Sequence, residues 1–200
     1  RIQLSQRTRL IQLLQIQLLQ RADAELKNKI NSFIEGKKYL KDFCVFMALK
    51  AANKNLPWDK WECEAFNEEI EFGWRFIQYE FFTQWAKVKK YANQNGISII
   101  GDIPIYVPLD SADVWAEPGE FLLDENLNPK RVAGCPPDSF SADGQLWGNP
   151  IYDWEKMKKS GFALWIKRLG AARHLYDIIR IDHFRGFESY WSIPAGDKTA

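Results

Sequence analysis

The stretch ISIIGDIPIYV, residues 97–107, predicts a buried β-strand because β-branched and other apolar residues dominate it. It directly follows residues 67–96, which carry the clearest helical pattern in the chain and end in Asn95-Gly96. A long helix that leads at once into a buried strand is half of a βαβ unit and indicates a parallel sheet. We expect the apolar stripe of this helix to lie in the core; its members are Ile70, Trp74, Ile77, Phe81, Trp85 and Val88.

A second helix–strand pair follows later in the chain. Residues 154–176 return to a helical pattern, broken around Gly161, and residues 177–184, DIIRIDHF, form the second predicted strand. The order helix, strand, long loop, helix, strand fits consecutive units of a (β/α) barrel. The predicted fold class is therefore α/β, as part of a TIM (β/α)₈ barrel with helical insertions, truncated at both ends.

The chain divides into two predicted regions. We expect residues 1–66 to form a helical segment or insertion packed on the barrel, beginning with an amphipathic helix over 10–34 and continuing with a short helix over 41–54. A coiled-coil or partner-binding role is the alternative for the first helix, whose glutamines make it too polar to span a membrane. Residues 67–200 would form the partial barrel, with a long loop at 108–153. Because the chain opens without methionine inside a helical pattern, we expect a piece of a longer protein.

Composition excludes several functional classes. The 27 Lys and Arg residues nearly balance the 26 Asp and Glu residues, so no nucleic-acid partner is indicated. Three cysteines without CxxC spacing favour a reducing compartment, and we expect a cytoplasmic protein. Only two histidines, no HExxH motif and no glycine-rich phosphate loop mean that no metal and no cofactor is expected. Nine tryptophans suit a ligand with apolar faces and polar edges, such as a sugar.

Arg180 and Asp182 are the candidate chemical residues of the second strand. Side chains alternate along a strand, so these two lie on one side, about 7 Å apart at the backbone. Charged residues that face inward at the carboxyl end of a barrel strand are typical of catalysis. The arginine favours an ionised carboxylate, which suits a nucleophile or an electrostatic stabiliser better than a general acid. A structural Arg–Asp pair at a strand end is the open alternative.

Four stretches resemble one enzyme family. RIDHFRGFESYW, residues 180–191, looks like the nucleophile-strand motif of the 4-α-glucanotransferases, the amylomaltase or disproportionating-enzyme family, which is related to the α-amylases. Residues 71–102, 101–116 and 132–154 are similar to this family's helix and turn, first conserved strand and long substrate loop, in the family's order. The resemblance extends from about residue 40 to the end of the chain.

This resemblance implies roles for the residues around the second strand. Asp182 matches the catalytic nucleophile, which would attack the anomeric carbon of an α-1,4-linked glucan. Arg180 matches the partner that keeps this carboxylate ionised and oriented. His183 would donate a hydrogen bond to the same sugar, although a histidine bonded to backbone at the strand end is the alternative. Asp102 matches the aspartate that shapes the floor of the site, and its alternative role is a bond to Arg180 or to a backbone N–H.

The long loop supplies the other implied substrate contacts. Asp138 and Trp147 match residues that line the acceptor side, where the Trp147 ring would stack on a glucose and Asp138 would accept hydroxyl hydrogen bonds. Phe140 would border the same groove. Position 139 is serine, where some family members carry a bulky aromatic residue, so the grip of this loop on the glucan is an open question.

The implied activity is the transfer of α-1,4-glucan segments between maltodextrins, or to glucose, by a retaining double displacement. This chemistry needs two carboxyl groups and no cofactor. Glu188 lies on the same loop as Asp182 and is therefore a poor candidate for the second carboxyl group. The resemblance implies that the acid/base glutamate and a third carboxylate lie beyond Ala200, and that the 200 residues alone are inactive. The implied partners are maltooligosaccharides and glucans derived from starch or glycogen, with no membrane. The alternatives are an α-glucan hydrolase and a non-catalytic glucan-binding protein.

Overall fold

The computed structural model describes residues 23–200, and this part divides into two compact units, one ending at Trp85 and the other comprising Ala86–Ala200. The helix predicted over 10–34 therefore lies partly outside the described residues. Its described part is α1, Ala24–Ile34, which begins where the Asp23 carboxylate accepts a 2.8 Å hydrogen bond from the Leu26 amide. A side-chain cap of this kind satisfies an amide that has no partner within the helix.

The first unit also contains helix α2 and most of helix α3. Helix α2 spans Lys38–Ala52, close to the predicted 41–54, and α3 spans Glu68–Gln94, close to the predicted 67–96. The core of this unit is built from Ile30, Ile34, Leu40, Cys44, Phe46, Ala48 and Leu49. The prediction that the apolar stripe of α3 lies in the core is wrong, because none of its six members is buried and Phe81 and Val88 are about half exposed. The described residues leave that side of the helix open to solvent.

The second unit contains the two predicted strands, and they pair as expected. Strand β1, Ile100–Pro104, lies parallel to the later strand Ile178–Asp182, here β4, in a register that pairs Ile100 with Ile178 and Pro104 with Asp182. Both strands are shorter than the predicted 97–107 and 177–184. Strand β4 ends at Asp182 because His183 adopts the left-handed conformation, with φ at 52°, which turns the chain out of the sheet.

The helical region before β4 is divided as predicted. Helix α5, Trp154–Lys159, and helix α6, Ala163–Leu175, are separated by Gly161 and Phe162, which both have positive φ. An additional short helix, α4, spans Ala112–Ala116 and is capped by the Ser111 hydroxyl.

A second sheet corrects the prediction that residues 108–153 form a loop. Strands β2, Arg131–Cys135, and β3, Gln145–Pro150, pair antiparallel within that range. Strand β5, Trp191–Pro194, pairs antiparallel with the other edge of β2. The glycines and prolines in these segments weaken the strand pattern in the sequence, whereas pairing on both edges of β2 stabilises it in the fold. No helix among residues 23–200 combines the length and apolar character needed to cross a bilayer.

Candidate functional site

One face of the β1–β4 pair carries three charged side chains. Asp102 in β1 and Arg180 in β4 are direct partners in the strand register, and Asp182 follows two positions along β4. The Arg180 guanidinium donates a hydrogen bond to Asp102 and forms an ion pair with it. The period-two alternation that predicted a shared face for Arg180 and Asp182 therefore also brings Asp102 to that face.

The ion pair changes the pKa of both partners. The hydrogen bond from Arg180 holds the pKa of the Asp102 carboxyl below its ordinary value, the Arg180 charge acts in the same direction, and burial acts against both. The pKa of Arg180 is raised, first by its hydrogen bond to Asp102, then by the Asp102 charge and, less strongly, by the charge of Asp182. Both members of the pair are therefore ionised at neutral pH.

Asp182 lies at the carboxyl end of β4, opposite Pro104, and is exposed. Among the described residues, Arg180 forms its ion pair with Asp102 rather than with Asp182. The physical reason is distance, because directly opposed residues of neighbouring strands are about 5 Å apart whereas alternate residues of one strand are about 7 Å apart. Arg180 still contributes a positive charge near Asp182, as its own raised pKa shows.

His183 lies immediately after β4 in a cluster of aromatic rings. The Trp147 ring from β3 meets the His183 ring edge to face, with centroids 5.1 Å apart. Tyr106, which follows β1, lies 6.4 Å from His183 and 6.3 Å from Trp147, centroid to centroid. The left-handed backbone of His183 thus brings its ring against two residues from other elements, so the structure unites two predicted site residues, Trp147 and His183.

The two remaining predicted residues lie in the loop between β2 and β3. One Asp138 oxygen accepts 2.8 Å hydrogen bonds from the amides of Phe140 and Ser141, so this oxygen holds the turn. The Phe140 side chain is 95% exposed. On β3, the Trp147 indole N–H donates to the Gln145 side chain at 3.0 Å. Asp138 and Phe140 make their hydrogen bonds within this loop, not to the charged face of β1 and β4.

Sequence reasoning missed Tyr106 and the two residues that hold the end of β1. The Arg168 guanidinium donates to the carbonyls of Pro104 at 2.9 Å and Ile105 at 3.2 Å. The buried Tyr152 hydroxyl donates to the Ile105 carbonyl at 2.7 Å. Tyr106 could have been found, because it continues the alternation of Asp102 and Pro104, whereas no local motif marks Arg168 or Tyr152.

Within residues 23–200, no three or more histidine, cysteine, aspartate or glutamate side chains lie close enough together to hold a metal ion. The groups that can act chemically on the charged face are the Asp182 carboxylate and the Asp102–Arg180 pair. An exposed carboxylate beside a fixed positive charge can act as a nucleophile or can stabilise a developing cation.

Comparison with known proteins identifies relatives over nearly the whole chain. A family model described as 4-alpha-glucanotransferase matches residues 3–200. The chain is 51% identical over 183 residues to a 4-alpha-glucanotransferase from Clostridium butyricum, covering 84% of this chain and 38% of that protein. It is 45% identical over 196 residues to a 4-alpha-glucanotransferase from Thermus thermophilus, covering 90% of this chain and 39% of that protein.

The structural comparison agrees with the sequence comparison. The chain superposes on an amylomaltase from Streptococcus agalactiae in complex with acarbose with a TM-score of 0.83 and 40% identity, covering 88% of this chain and 39% of that one. An amylomaltase from Corynebacterium glutamicum matches with a TM-score of 0.71 at 21% identity and supports the fold alone. The chain thus spans less than half the length of the relatives that it matches.

Proposed function

The chain belongs to the 4-alpha-glucanotransferase family, and we propose that its full-length protein transfers α-1,4-glucan segments between maltodextrins, or to glucose, with Asp182 as the nucleophile. The observation that carries this proposal is the position of Asp182 at the carboxyl end of a parallel strand, on the face of the Asp102–Arg180 pair. Charged groups at that end of a strand are the usual place of catalysis in (β/α) barrels.

The proposed reaction has two steps with one covalent intermediate. Asp182 attacks the anomeric carbon of the donor glucan, the glycosidic C–O bond breaks, and a second carboxylic acid protonates the departing oxygen. The 4-hydroxyl of an acceptor glucan then attacks the same carbon, gives its proton to that second carboxylate and releases Asp182. We propose that the second carboxyl group, a glutamate, and a third carboxylate follow residue 200, and that the 200 residues alone are inactive.

The charged pair has a supporting role in this proposal. Arg180 contributes a positive charge close to Asp182, as the effect of Asp182 on the pKa of Arg180 indicates. Asp102, on the neighbouring strand, accepts a hydrogen bond from the Arg180 guanidinium. This bond holds the positive charge of Arg180 in place before a substrate binds. The Asp102–Arg180 pair is therefore already in position beside the nucleophile, and it does not have to move during the reaction.

Aromatic and polar residues of the second sheet would bind the sugars. The Trp147 ring is fixed against His183 and offers a face on which a glucose can stack, while His183 donates a hydrogen bond to the sugar attacked by Asp182. The second oxygen of Asp138 would accept hydrogen bonds from sugar hydroxyls, since the first holds the turn. Phe140, which is exposed, would border the acceptor groove. The substrates are maltooligosaccharides and glucans derived from starch or glycogen.

We propose a TIM (β/α)₈ barrel for the full-length fold, in which β1 and β4 are two of the eight strands. The parallel pairing of these strands supports the proposal. The division into a helical region 1–66 and a barrel region 67–200 remains a prediction. A cytoplasmic location is supported by the three free thiols of Cys44, Cys63 and Cys135.

The test uses the full-length protein with maltotriose as the only substrate. Glucose together with chains longer than maltotriose is the expected product pattern, because transfer lengthens one chain as it shortens another. Glucose and maltose alone would show that water is the acceptor and that the protein is a hydrolase. No change in maltotriose would favour a non-catalytic glucan-binding protein.

The matched variants are Asp182→Asn and Glu188→Gln, which remove one carboxylate each on the same segment. We expect Asp182→Asn to keep the fold and lose roughly 10⁴-fold or more in rate, as for other nucleophile replacements. Glu188→Gln should retain most of the activity, since its exposed side chain follows the Phe184–Phe187 turn rather than the strand end. Near-normal turnover of Asp182→Asn would refute the assignment of the nucleophile.

A further inference from the structure

Two buried polar atoms beside the candidate nucleophile have no hydrogen-bond partner among the described residues. They are the phenol oxygen of Tyr106 and Nε2 of His183. Tyr106 is only 6% exposed. Buried polar groups are almost always satisfied in folded proteins, so an exception requires an explanation.

The surrounding contacts hold both rings in place. The Tyr106 ring stacks on Tyr152, with centroids 6.1 Å apart and planes 20° from parallel, and it also contacts His183 and Trp147. Gly186 approaches from the turn after β4. A Cβ placed on Gly186 would lie 2.8 Å from Ile105 Cδ1, 3.1 Å from His183 Cδ2 and 3.5 Å from the Tyr106 hydroxyl. The His183 and Tyr106 side chains therefore both lie close to Gly186, where a residue with a Cβ would be too near its neighbours.

We propose that Tyr106 is a positioning residue, whose hydroxyl and His183 Nε2 are joined by one buried water molecule that fixes the His183 ring against Trp147. This proposal rests on the proposed function, because it matters for catalysis only if Asp182, the residue before His183, is the nucleophile. A buried water needs at least two polar partners, and these two atoms provide them. The water would accept from Tyr106 and donate to Nε2, which leaves the ring proton on Nδ1.

The charged neighbours are compatible with this hydrogen-bond direction. Burial raises the pKa of the Tyr106 phenol above its ordinary value, and the charges of Tyr190 and Tyr152 act in the same direction, so the phenol remains a donor. Asp182 and Arg185 are the charged groups on the segment of His183 itself, and Trp147, which β3 contributes, carries none.

The experiment compares Tyr106→Phe with Tyr91→Phe in the full-length protein. Both changes remove one phenol oxygen, but Tyr91 is 71% exposed on α3 and is the control. Nitrogen-15 NMR reports which ring nitrogen of His183 carries the proton, and the signals are assigned by their loss in His183→Asn. We expect the proton on Nδ1 in the wild type and in Tyr91→Phe, and a shift of the population toward Nε2–H in Tyr106→Phe.

Activity provides the second readout. If Tyr106 positions His183, Tyr106→Phe should lower kcat about tenfold with little change in KM, and its effect should largely disappear in a His183→Asn background. An unchanged tautomer in Tyr106→Phe, or a proton on Nε2 in the wild type, would overturn the proposal whatever the activity. Because the NMR result does not depend on glucan transfer, failure of this inference is distinguishable from failure of the proposed function.

Discussion

At the scale of single residues, the partner of Arg180 determines which charged groups contact Asp182, the proposed nucleophile. Arg180 forms its ion pair with Asp102 across the sheet, so both oxygens of Asp182 lie outside that ion pair. A carboxylate engaged by a guanidinium would have to break that contact before attacking a sugar. The cross-strand pair therefore places a positive charge near Asp182 without engaging its oxygens, an arrangement that fits the proposed role of Asp182 as the attacking group.

The Asp102–Arg180 pair predicts a specific pH dependence of stability. Since the folded pKa of Asp102 is below its unfolded value, the ionised carboxylate stabilises the fold above the unfolded pKa, and this contribution is lost as the pH falls through the folded pKa. We expect Asp102→Asn to be less stable than the wild type at pH 7, with the difference shrinking as the pH falls below the ordinary aspartate pKa of about 3.9 and through the lowered folded pKa. The effect is small because water screens an exposed pair.

Urea unfolding of the wild type and of Asp102→Asn at a series of pH values measures this difference. Asp197→Asn, which removes an exposed carboxylate far along the chain, is the control and should show no comparable change between pH 7 and pH 3. A constant difference in the free energy of unfolding across this range would mean that Asp102 contributes through packing and not through its charge.

The alternation of side chains along a strand predicts from the sequence which charged residues share a face. It does not predict which aspartate forms the ion pair with Arg180. The shared face of Arg180 and Asp182 followed from the period of a strand, and the same rule reaches Asp102 once the strands are paired. Which aspartate Arg180 contacts depends on the register between strands 78 residues apart, and local sequence contains no information on that register. The predicted bond between Asp102 and Arg180 is present, and it is compatible with the predicted place of Asp102 at the floor of the site.

At the scale of elements, the close packing of β1 against Tyr176 depends on the absence of a Cβ at Gly101. Gly101 is buried in the middle of β1, and a Cβ there would lie between 2.0 and 2.3 Å from three ring atoms of Tyr176. Those atoms belong to the body of the ring, so they cannot move away as a flexible chain end would. The strand can approach the residue after α6 this closely only because position 101 is glycine.

Gly101→Ala is therefore expected to destabilise the protein by about 1–3 kcal/mol, the usual cost of overpacking. Gly170→Ala is the matched control, because a Cβ at this position in α6 meets no atom within 4 Å. In an exposed helix interior the added methyl group should stabilise the fold by about 0.5–1 kcal/mol. Thermal and urea unfolding measure both changes, and equal effects of the same sign would contradict this account of β1 packing.

The elements that the sequence predicted best are those with long periodic patterns. Helices α3, α5 and α6 and the pairing strands β1 and β4 were predicted because apolar spacing and glycine breaks define them locally. Strands β2 and β3 were missed inside the predicted loop 108–153. Their segments, RVAGC and QLWGNP, contain glycines, a proline and few β-branched residues, and they are strands only because each pairs with another segment.

At the scale of the whole molecule, the described chain presents a sheet face with both charged and apolar residues. Ile100 and Ile178 are more than half exposed and lie on the same face as Asp102, Arg180 and Asp182. The chain covers 38% and 39% of its relatives from Clostridium butyricum and Thermus thermophilus. We therefore attribute activity to the full-length protein, whose further strands would cover these isoleucines in the proposed barrel.

Family membership was predictable from motifs over most of the chain. The stretch from Arg180 to Trp191 and the long loop carried the resemblance from about residue 40 onward, whereas the family model extends to residue 3. The N-terminal region was not recognised because its amphipathic helical pattern occurs in many unrelated proteins. Recognition therefore depended on specific motifs, including the helix and turn at 71–102, and a general amphipathic pattern carried little family information.

The most direct test of the central claim is to trap the covalent intermediate. The full-length protein is incubated with an α-glucosyl fluoride whose ring carries a second fluorine, which slows breakdown of a glycosyl-enzyme, and is then digested for mass spectrometry. Attack on the anomeric carbon releases the anomeric fluoride, so the account predicts one added fluoroglucosyl group on the peptide containing Asp182, and none in Asp182→Asn. An adduct on a different carboxylate, or no adduct in a preparation that transfers glucan, would contradict it.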